Sequence, residues 1–365
     1  MRIHLVSLPH TQTKKAYSTC AYTEKVRKFS TMMTKRGHDI FLYAGEENEA
    51  ECREHICCIT KEKQAEYGFN GPEDYLKIDF NSSEPWGYFH SNVIEEIKKR
   101  IEPKDIICVI TGIPTMCFES EFPNNIVVEF GVGYSGICHK YRVFESYAWR
   151  NFVYGQKNMD GVFFDEVIPN YFETKDFPFI KKKGDYFLYI GRLTEKKGYR
   201  IAQDVCERKG YRLLVAGPGE FDGYGEYIGI LDPRQRAKVM GHARAVFVPT
   251  LYVAPFEGVH VEAMLCGTPV ITTDFGVFSE SVYDGINGFR CNMFEEFYMA
   301  TEMVKDLDYL RIRKLAIERY STETVAVQYD HYFNRLLKLY GGGWYGDYGN
   351  IQSFREEIKA LENNS

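Results

Sequence analysis

DFPFIKKKGDYFLYIG, residues Asp176 to Gly191, is where the chain stops one pattern and begins it again. Its first part carries a proline and three consecutive lysines, which suit neither a buried strand nor an apolar helix face. Asp185–Gly191 is then a short apolar run closed by glycine and reads as a buried strand. Working back from this break, Arg2–Leu8 reads as a strand. Val26, Phe29, Met32 and Met33 recur at three- and four-residue steps as a helix face that Gly37 stops, and Asp39–Gly45 is the next strand. Ser91–Ile101 follows as a helix, Asp105–Gly112 and Asn125–Gly131 as strands, Lys140–Gly155 as a helix, and Asp160–Phe172 as two short strand-like pieces about a turn. Working forward, strands at Asp185–Gly191, Tyr211–Gly219, Arg244–Thr250 and Pro269–Asp274 alternate with helices at Gly198–Gly210, Asp232–Ala243, Gly258–Gly267 and Glu295–Leu307. A last helix, Glu323–Tyr340, is capped by Ser321 or Thr322.

An alternation that starts over predicts an α/β protein of two Rossmann-like, doubly wound domains facing a central cleft, with ligands at the carboxyl ends of the strands. The first domain is residues 1–175, the linker 176–184 and the second domain 185–340. The remainder, 341–365, is a polar tail that either crosses back to the first domain or hangs free. A chain of 365 residues is long enough for two such cores.

Composition narrows the partners. The net charge of −6 gives no call for nucleic acid or an anionic membrane, and Lys98-Lys99-Arg100 and Lys181-Lys182-Lys183 read as solvated faces. The 27 tyrosines and 26 phenylalanines fit aromatic cores first and sugar-stacking surfaces second. Ten scattered cysteines, without a secretory leader, fit a reducing, cytoplasmic setting. In the densest cluster, a strand through HICCIT would send Cys57 and Cys58 to opposite faces, which argues for plain thiols over a metal site. No apolar run approaches the eighteen residues of a membrane span.

Three strand-to-helix turns of the second half carry the chemistry. In YIGRLTEKKG a strand ends at Gly191, where a ligand can approach the backbone, and Arg192 and Lys197 follow as two cations suited to a diphosphate. VAGPGE, with Gly217, is either a short phosphate-cradling turn or a sharp bend. LYVAPFEGVHVEAMLCG then turns at a proline and Phe256 into a helix starting near Gly258. The amides of Gly258 and Val259 are free for an anion, and Glu262 lies one turn further in, placed to accept from a ribose diol. Glu257, at the helix entrance, either answers the macrodipole or reaches a ligand.

Together, GRLTEKKG, VAGPG and VPTLYVAPFEGVHVEAMLCGTPVITTDFGVFSESVYDGINGF resemble the donor half of glycosyltransferase family 4, retaining enzymes of the GT-B fold. The first half fits by architecture, and PHTQT, AYTEKV and GYSGICHKYRVFESYAW resemble one subgroup. The resemblance implies that Arg192 and Lys197 bind the diphosphate and that Glu262 is the second acid of the E-x7-E motif, binding the ribose. The first acid falls on Ala254, and the family's EPFG is here APFE, so Glu257 stands where glycine is usual. As a carboxylate near the sugar, Glu257 joins Arg192 and Lys197 as a candidate catalytic residue. The family's active-site histidine after a first-domain strand has no counterpart at Gly131–Ser135. His10, Tyr134 and Ser135 are the acceptor-side candidates, and His139 lies nearby. The resemblance implies a UDP- or GDP-sugar donor, a glycan or other hydroxyl-bearing acceptor, and no metal, because no DxD-type carboxylate pair stands out. A nucleotide-sugar-binding protein without transfer, motivated by Ala254, is the alternative, and a nucleotide-sugar epimerase a more distant one.

Overall fold

The structure is a computed structural model that describes residues 1–80, 84–340 and 344–345. It contains two all-parallel sheets. The first is built from β1 (Arg2–Val6), β2 (Asp39–Gly45), β3 (Glu54–Ile59), β4 (Ile106–Val109), β5 (Ile126–Val132), β6 (Tyr141–Phe144) and β7 (Glu166–Val167), in the order 3-2-1-4-5-6-7. The second is built from β8 (Tyr186–Ile190), β9 (Arg212–Ala216), β10 (Glu226–Tyr227), β11 (Val246–Val248), β12 (Val270–Thr273) and β13 (Gly288–Cys291), in the order 10-9-8-11-12-13. Helices of eight residues or more are α1 (Ala21–Lys35), α2 (Glu84–Lys98), α3 (Tyr147–Lys157), α4 (Tyr199–Lys209), α5 (Pro233–His242), α6 (Gly258–Leu265), α7 (Phe294–Met303), α8 (Tyr309–Tyr320) and α9 (Thr322–Leu337).

Both faces of each sheet are covered, as parallel sheets require. In the first sheet Ile3, Leu5, Ile40 and Leu42 pack with α1 and α9, while Phe41, Tyr43, Ile107 and Val109 pack with α2. In the second, Leu188, Leu214, Val246 and Val270 pack with α5, α6 and α8, and Phe187, Val215, Phe247 and Ile271 with α4 and α7. Successive residues of one strand point to opposite faces. The pair at Cys57 and Cys58 shows this: Cys57 is exposed and Cys58 buried.

Four readings differ from the structure. Lys140–Gly155 is not one helix: Tyr141–Phe144 is a fully buried strand between β5 and β7, and α3 begins only after Ser146, whose hydroxyl accepts from the Trp149 amide at 3.1 Å. Of the two strand-like pieces in Asp160–Phe172 only Glu166–Val167 pairs as a strand, and Phe172 instead bridges Ser321. Lys183 is not a solvated lysine, because its ammonium group donates to Gly241 O at 2.9 Å and to Thr268 Oγ1 at 2.8 Å, tying the linker to the second sheet's helices. The last helix, counted by sequence with the second domain, packs through Val325, Tyr329, Tyr332 and Phe333 into the core of the first, so the chain crosses back at Tyr320–Thr322. Ser321 is its cap, accepting from the Thr324 amide at 3.2 Å. The tail 341–365 lies outside the described residues except for Trp344–Tyr345. Among the described residues no helix is long and apolar enough to cross a membrane.

Candidate functional site

In each sheet the strand order reverses beside the first strand, between β1 and β4 and between β8 and β11. A doubly wound sheet opens its ligand crevice at this point, beyond the carboxyl ends of the two strands. In the second sheet, Gly191, Arg192 and Lys197 follow β8, while Phe256, Glu257, Gly258 and Val259 follow β11. The two loops are joined by Leu251 N donating to Lys196 O at 2.9 Å, and by the close seat of Gly198 on Pro249, where a Cβ would meet the carbonyl oxygen at 2.0 Å. Residues sixty positions apart in sequence, Lys197 and Glu257, are thereby set face to face.

Lys197 and Glu257 are in direct ionic contact, with only 14% and 8% of their side chains exposed. The hydroxyls of Thr250 and Tyr252 donate to the same Glu257 oxygen at 3.4 and 3.5 Å, and Lys197 also lies over the Tyr252 ring. Glu257 occupies the N-cap of α6 in the left-handed region, φ +61°, and its carboxylate makes no capping hydrogen bond. A non-glycine residue held there costs about 1–3 kcal/mol. His260 stabilises the turn: its Nδ1 is 2.5 Å from the Glu257 carbonyl oxygen. Burial pushes its pKa down to about 4, so Nδ1 carries the proton and donates. The amides of Gly258 and Val259, in the first turn of α6, have no intrahelical partner and a helix dipole behind them.

Glu262 is one turn further on. Arg236 of α5 donates to its Oε1 at 2.7 Å, while Oε2 is buried without a partner. An acceptor oxygen left so lacks the hydrogen bond that a buried carboxylate oxygen ordinarily has. Arg192 is exposed at the mouth of the crevice. Gly217 serves the backbone: its φ is +130°, a Cβ would meet Gly191 O at 2.0 Å, and its amide is taken by Gly229 O at 3.0 Å. The GPG turn is therefore a close packing of two loops. Ala254 is buried at 3% exposure.

The first-sheet candidates divide. His10, after β1, is buried against Phe69, Phe80 and Trp86 with neither ring nitrogen bonded, and burial pushes its pKa down to about 3. Tyr134 stands edge-on to Tyr22 with its hydroxyl buried beside Glu129, whose pKa is itself raised by burial, and Ser135 is half-buried. His139 does not face the cleft alone: Nε2 is 2.8 Å from Thr115 Oγ1, which pins the 112–115 loop. The sequence reading missed two features here. Thr111, at the end of β4, holds φ +89°, an outlier for a β-branched residue. Lys25 of α1 is in ionic contact with Glu145, at 14% and 4% side-chain exposure, and donates to Gly131 O at 3.2 Å. Burial pulls the Lys25 pKa down to about 7, opposed by a weaker electrostatic pull from Cys20.

The two units meet at hydrogen bonds from Ser146 Oγ to Pro255 O, 2.7 Å, and from the Tyr147 and Ala148 amides to the Glu280 carboxylate, 3.1 and 3.0 Å. Beside these contacts lies a pocket of about 220 Å³ lined by Glu145, Ser146, Phe256, Glu280, Arg319 and Tyr320 among others. Arg192, Lys197 and Glu262 do not line it, so it adjoins the crevice of the second sheet without containing its charged residues.

Residues 184–306 match the family described as glycosyl transferases group 1. An uncharacterised glycosyltransferase of Methanocaldococcus jannaschii is 30% identical over 118 residues, 28% of this chain and 30% of that protein. The chain spans about a third of the length of the curated relatives it matches. Among solved structures, a sucrose-phosphate synthase from Thermosynechococcus elongatus superposes with a TM-score of 0.63 at 16% identity, over 92% of this chain and 99% of the other. HepE of Anabaena, solved in complex with UDP, superposes with a TM-score of 0.62 at 14% identity, over 92% and 100%. At such identities the structures share the fold. The second unit thus carries a glycosyltransferase group 1 domain, and the chain as a whole has the two-sheet GT-B architecture.

Proposed function

We propose that the protein is a retaining glycosyltransferase of family 4. It moves a sugar from a nucleoside-diphosphate sugar, a UDP- or GDP-sugar, to a hydroxyl group of an acceptor such as a glycan, in a reducing, cytoplasmic compartment. What supports this reading is the ionic contact that brings Lys197, after β8, to Glu257 at the start of α6, with Arg192 on the same loop as Lys197 and Glu262 one turn into α6 with Oε2 unpartnered. Glu262 accepts from the ribose hydroxyls. Arg192, Lys197 and the helix end stabilise charge that grows on the diphosphate as the sugar's anomeric carbon leaves it. The acceptor oxygen attacks from the same face, and its proton passes to the departing phosphate oxygen. This chemistry draws its positive charge from side chains and a helix end and needs no metal ion. That solved neighbours of the same fold hold UDP and UDP-glucose supports the donor class. His10, Tyr134 and Ser135 lie on the acceptor side, around the β1–β4 crevice.

A thermal-shift panel of UDP-, GDP- and ADP-sugars, followed by product analysis, tests the reading. A donor at about 100 times its Kd stabilises the protein by about 2.7 kcal/mol. If no nucleotide sugar raises the melting temperature, the proposal fails. Binding with neither transfer nor hydrolysis identifies instead a nucleotide-sugar-binding protein, the reading that Ala254 in place of an acid favours.

A further inference from the structure

We infer that Glu257 competes with the donor's diphosphate for Lys197, and so sets how tightly the nucleoside diphosphate is held and how fast it leaves. The inference rests on the donor-site reading above and concerns the acid that stands at the entrance of α6.

Four observations carry it. The carboxylate is in contact with the same ammonium group that a diphosphate at this crevice would use. The hydroxyls of Thr250 and Tyr252 complete a cage of donors around that oxygen, and donors of this kind serve a phosphate oxygen as well as a carboxylate. The backbone at Glu257 is in the left-handed region that glycine adopts freely, so a side chain is retained there against strain. Finally, the carboxylate makes no capping hydrogen bond to α6, so the helix end draws on it through the dipole alone.

Two anions cannot draw fully on one half-buried ammonium group, and they repel each other at contact distance. Glu257 therefore has to turn away when a diphosphate binds. It weakens the bare nucleotide, the product of transfer, by the full cost of that displacement. Once released, the carboxylate is at the sugar end of the crevice, where Ala254 supplies none.

The test is titration calorimetry and stopped-flow release with UDP, GDP, inorganic pyrophosphate, uridine and guanosine on wild type, Glu257→Gln, Glu257→Asp and Glu257→Gly. Glycine takes φ +61° without strain, so at least that variant keeps its fold. The nucleoside diphosphate that binds wild type should bind Glu257→Gln and Glu257→Gly about tenfold more tightly and leave more slowly, with pyrophosphate moving in parallel. Glu257→Asp should stay near wild type, and the nucleosides should change less than about twofold. Unchanged or weaker diphosphate binding by the glutamine and glycine variants overturns the inference and leaves the donor reading standing. Failure of UDP, GDP and pyrophosphate to bind any of the four proteins overturns both.

Discussion

Each sheet holds a lysine–glutamate pair beyond the carboxyl ends of its strands, and the two pairs are buried to a similar degree. Lys25–Glu145 shows 14% and 4% of its side chains, Lys197–Glu257 14% and 8%. Their settings differ. Lys25 sits on a regular fifteen-residue helix, its ammonium also holding Gly131 O, and Gly133 packs on the Glu145 carboxylate so closely that a Cβ would stand 2.9 Å from it. Lys197 and Glu257 come from two loops, and Glu257 stands in a strained turn with hydroxyl neighbours that would serve another anion equally well. The same chemical pair is a closed fastening on one side of the cleft and an exchangeable one on the other. Backbone regularity and the chemistry of the third neighbour make that difference; depth of burial does not.

The largest effect that could break this comparison is on stability. Lys25→Met leaves Glu145 a buried, unpaired carboxylate, and removal of one partner of such a pair costs about 3–5 kcal/mol. The double variant Lys25→Met/Glu145→Leu should recover most of the loss in urea unfolding. A loss under about 1 kcal/mol for the single variant would mean that water reaches the pair, and the two sites would then be alike. Lys197→Met sharpens the contrast from the other side. Glu257 can turn toward the crevice, so stability should fall far less than for Lys25→Met, while loss of a cation at the leaving group lowers kcat by about 10²–10³-fold. Urea unfolding and transfer assays on the same protein preparation check the two halves of that statement.

How much of this was legible in the sequence follows the same divide. The break at Asp176–Asp185 and the twice-repeated alternation located both sheets, because buried parallel strands must be apolar runs and helices must cover them. The residues proposed to hold the donor could be singled out because Gly191, Arg192 and Lys197 follow β8 and Phe256 to Glu262 lie on the turn and helix after β11, short stretches that also lie close in space. Lys25 and Glu145 lie inside AYTEKV and KYRVFESYAW, yet they are 120 positions apart, and nothing local says that a helix face and a strand end will meet. The reading of Lys140–Gly155 as one helix hid Glu145 further, since Tyr-Arg-Val-Phe satisfies both periods until Ser146 marks the true helix start. Arg236 on Glu262 was hidden for a similar reason. The capping box of Asp232 and Gln235 fixes where α5 begins, but only the packing of α5 on α6 turns Arg236 toward the acid. The ionic contact of Glu257 with Lys197 depended on a left-handed turn that a glutamate does not advertise.

Acid should separate the two units next. Burial pushes the pKa of His10 and His90, in the first unit, down to about 3 and about 4, and that of His260, in the second, to about 4. In the unfolded chain each returns to about 6.5. Between these values the unfolded chain binds the extra proton, so stability is complete above pH 6.5 and is lost as the pH falls toward 4. Each histidine steepens that loss by up to about 1.4 kcal/mol per pH unit. With two of the three histidines in the first unit, that unit should open first, and hydrogen exchange at pH 5 should show β1 and β4 losing protection before β8 and β11. His10→Phe, placed among Phe69, Phe80 and Trp86, should flatten the acid limb without touching donor binding.

The smallest expected effect concerns the joint between the two pairs. Ser146, next to Glu145, donates to Pro255 O, two residues before Glu257, and Glu280 from the second unit takes the first amides of α3 in the first. A helix N-terminus that receives its carboxylate from the opposite unit favours one relative orientation of the two sheets. Because a carboxylate at a helix start contributes about 0.3–1 kcal/mol and is screened by salt, Glu280→Gln should cost that much at low ionic strength and nearly nothing at 1 M salt. The glutamine keeps one acceptor oxygen and the shape, so any change isolates the charge. If the variant matches wild type at low salt as well, the joint does not depend on that charge, and the crossing of the chain at Tyr320–Thr322 into α9 is left as the stronger tie between the two sides of the cleft.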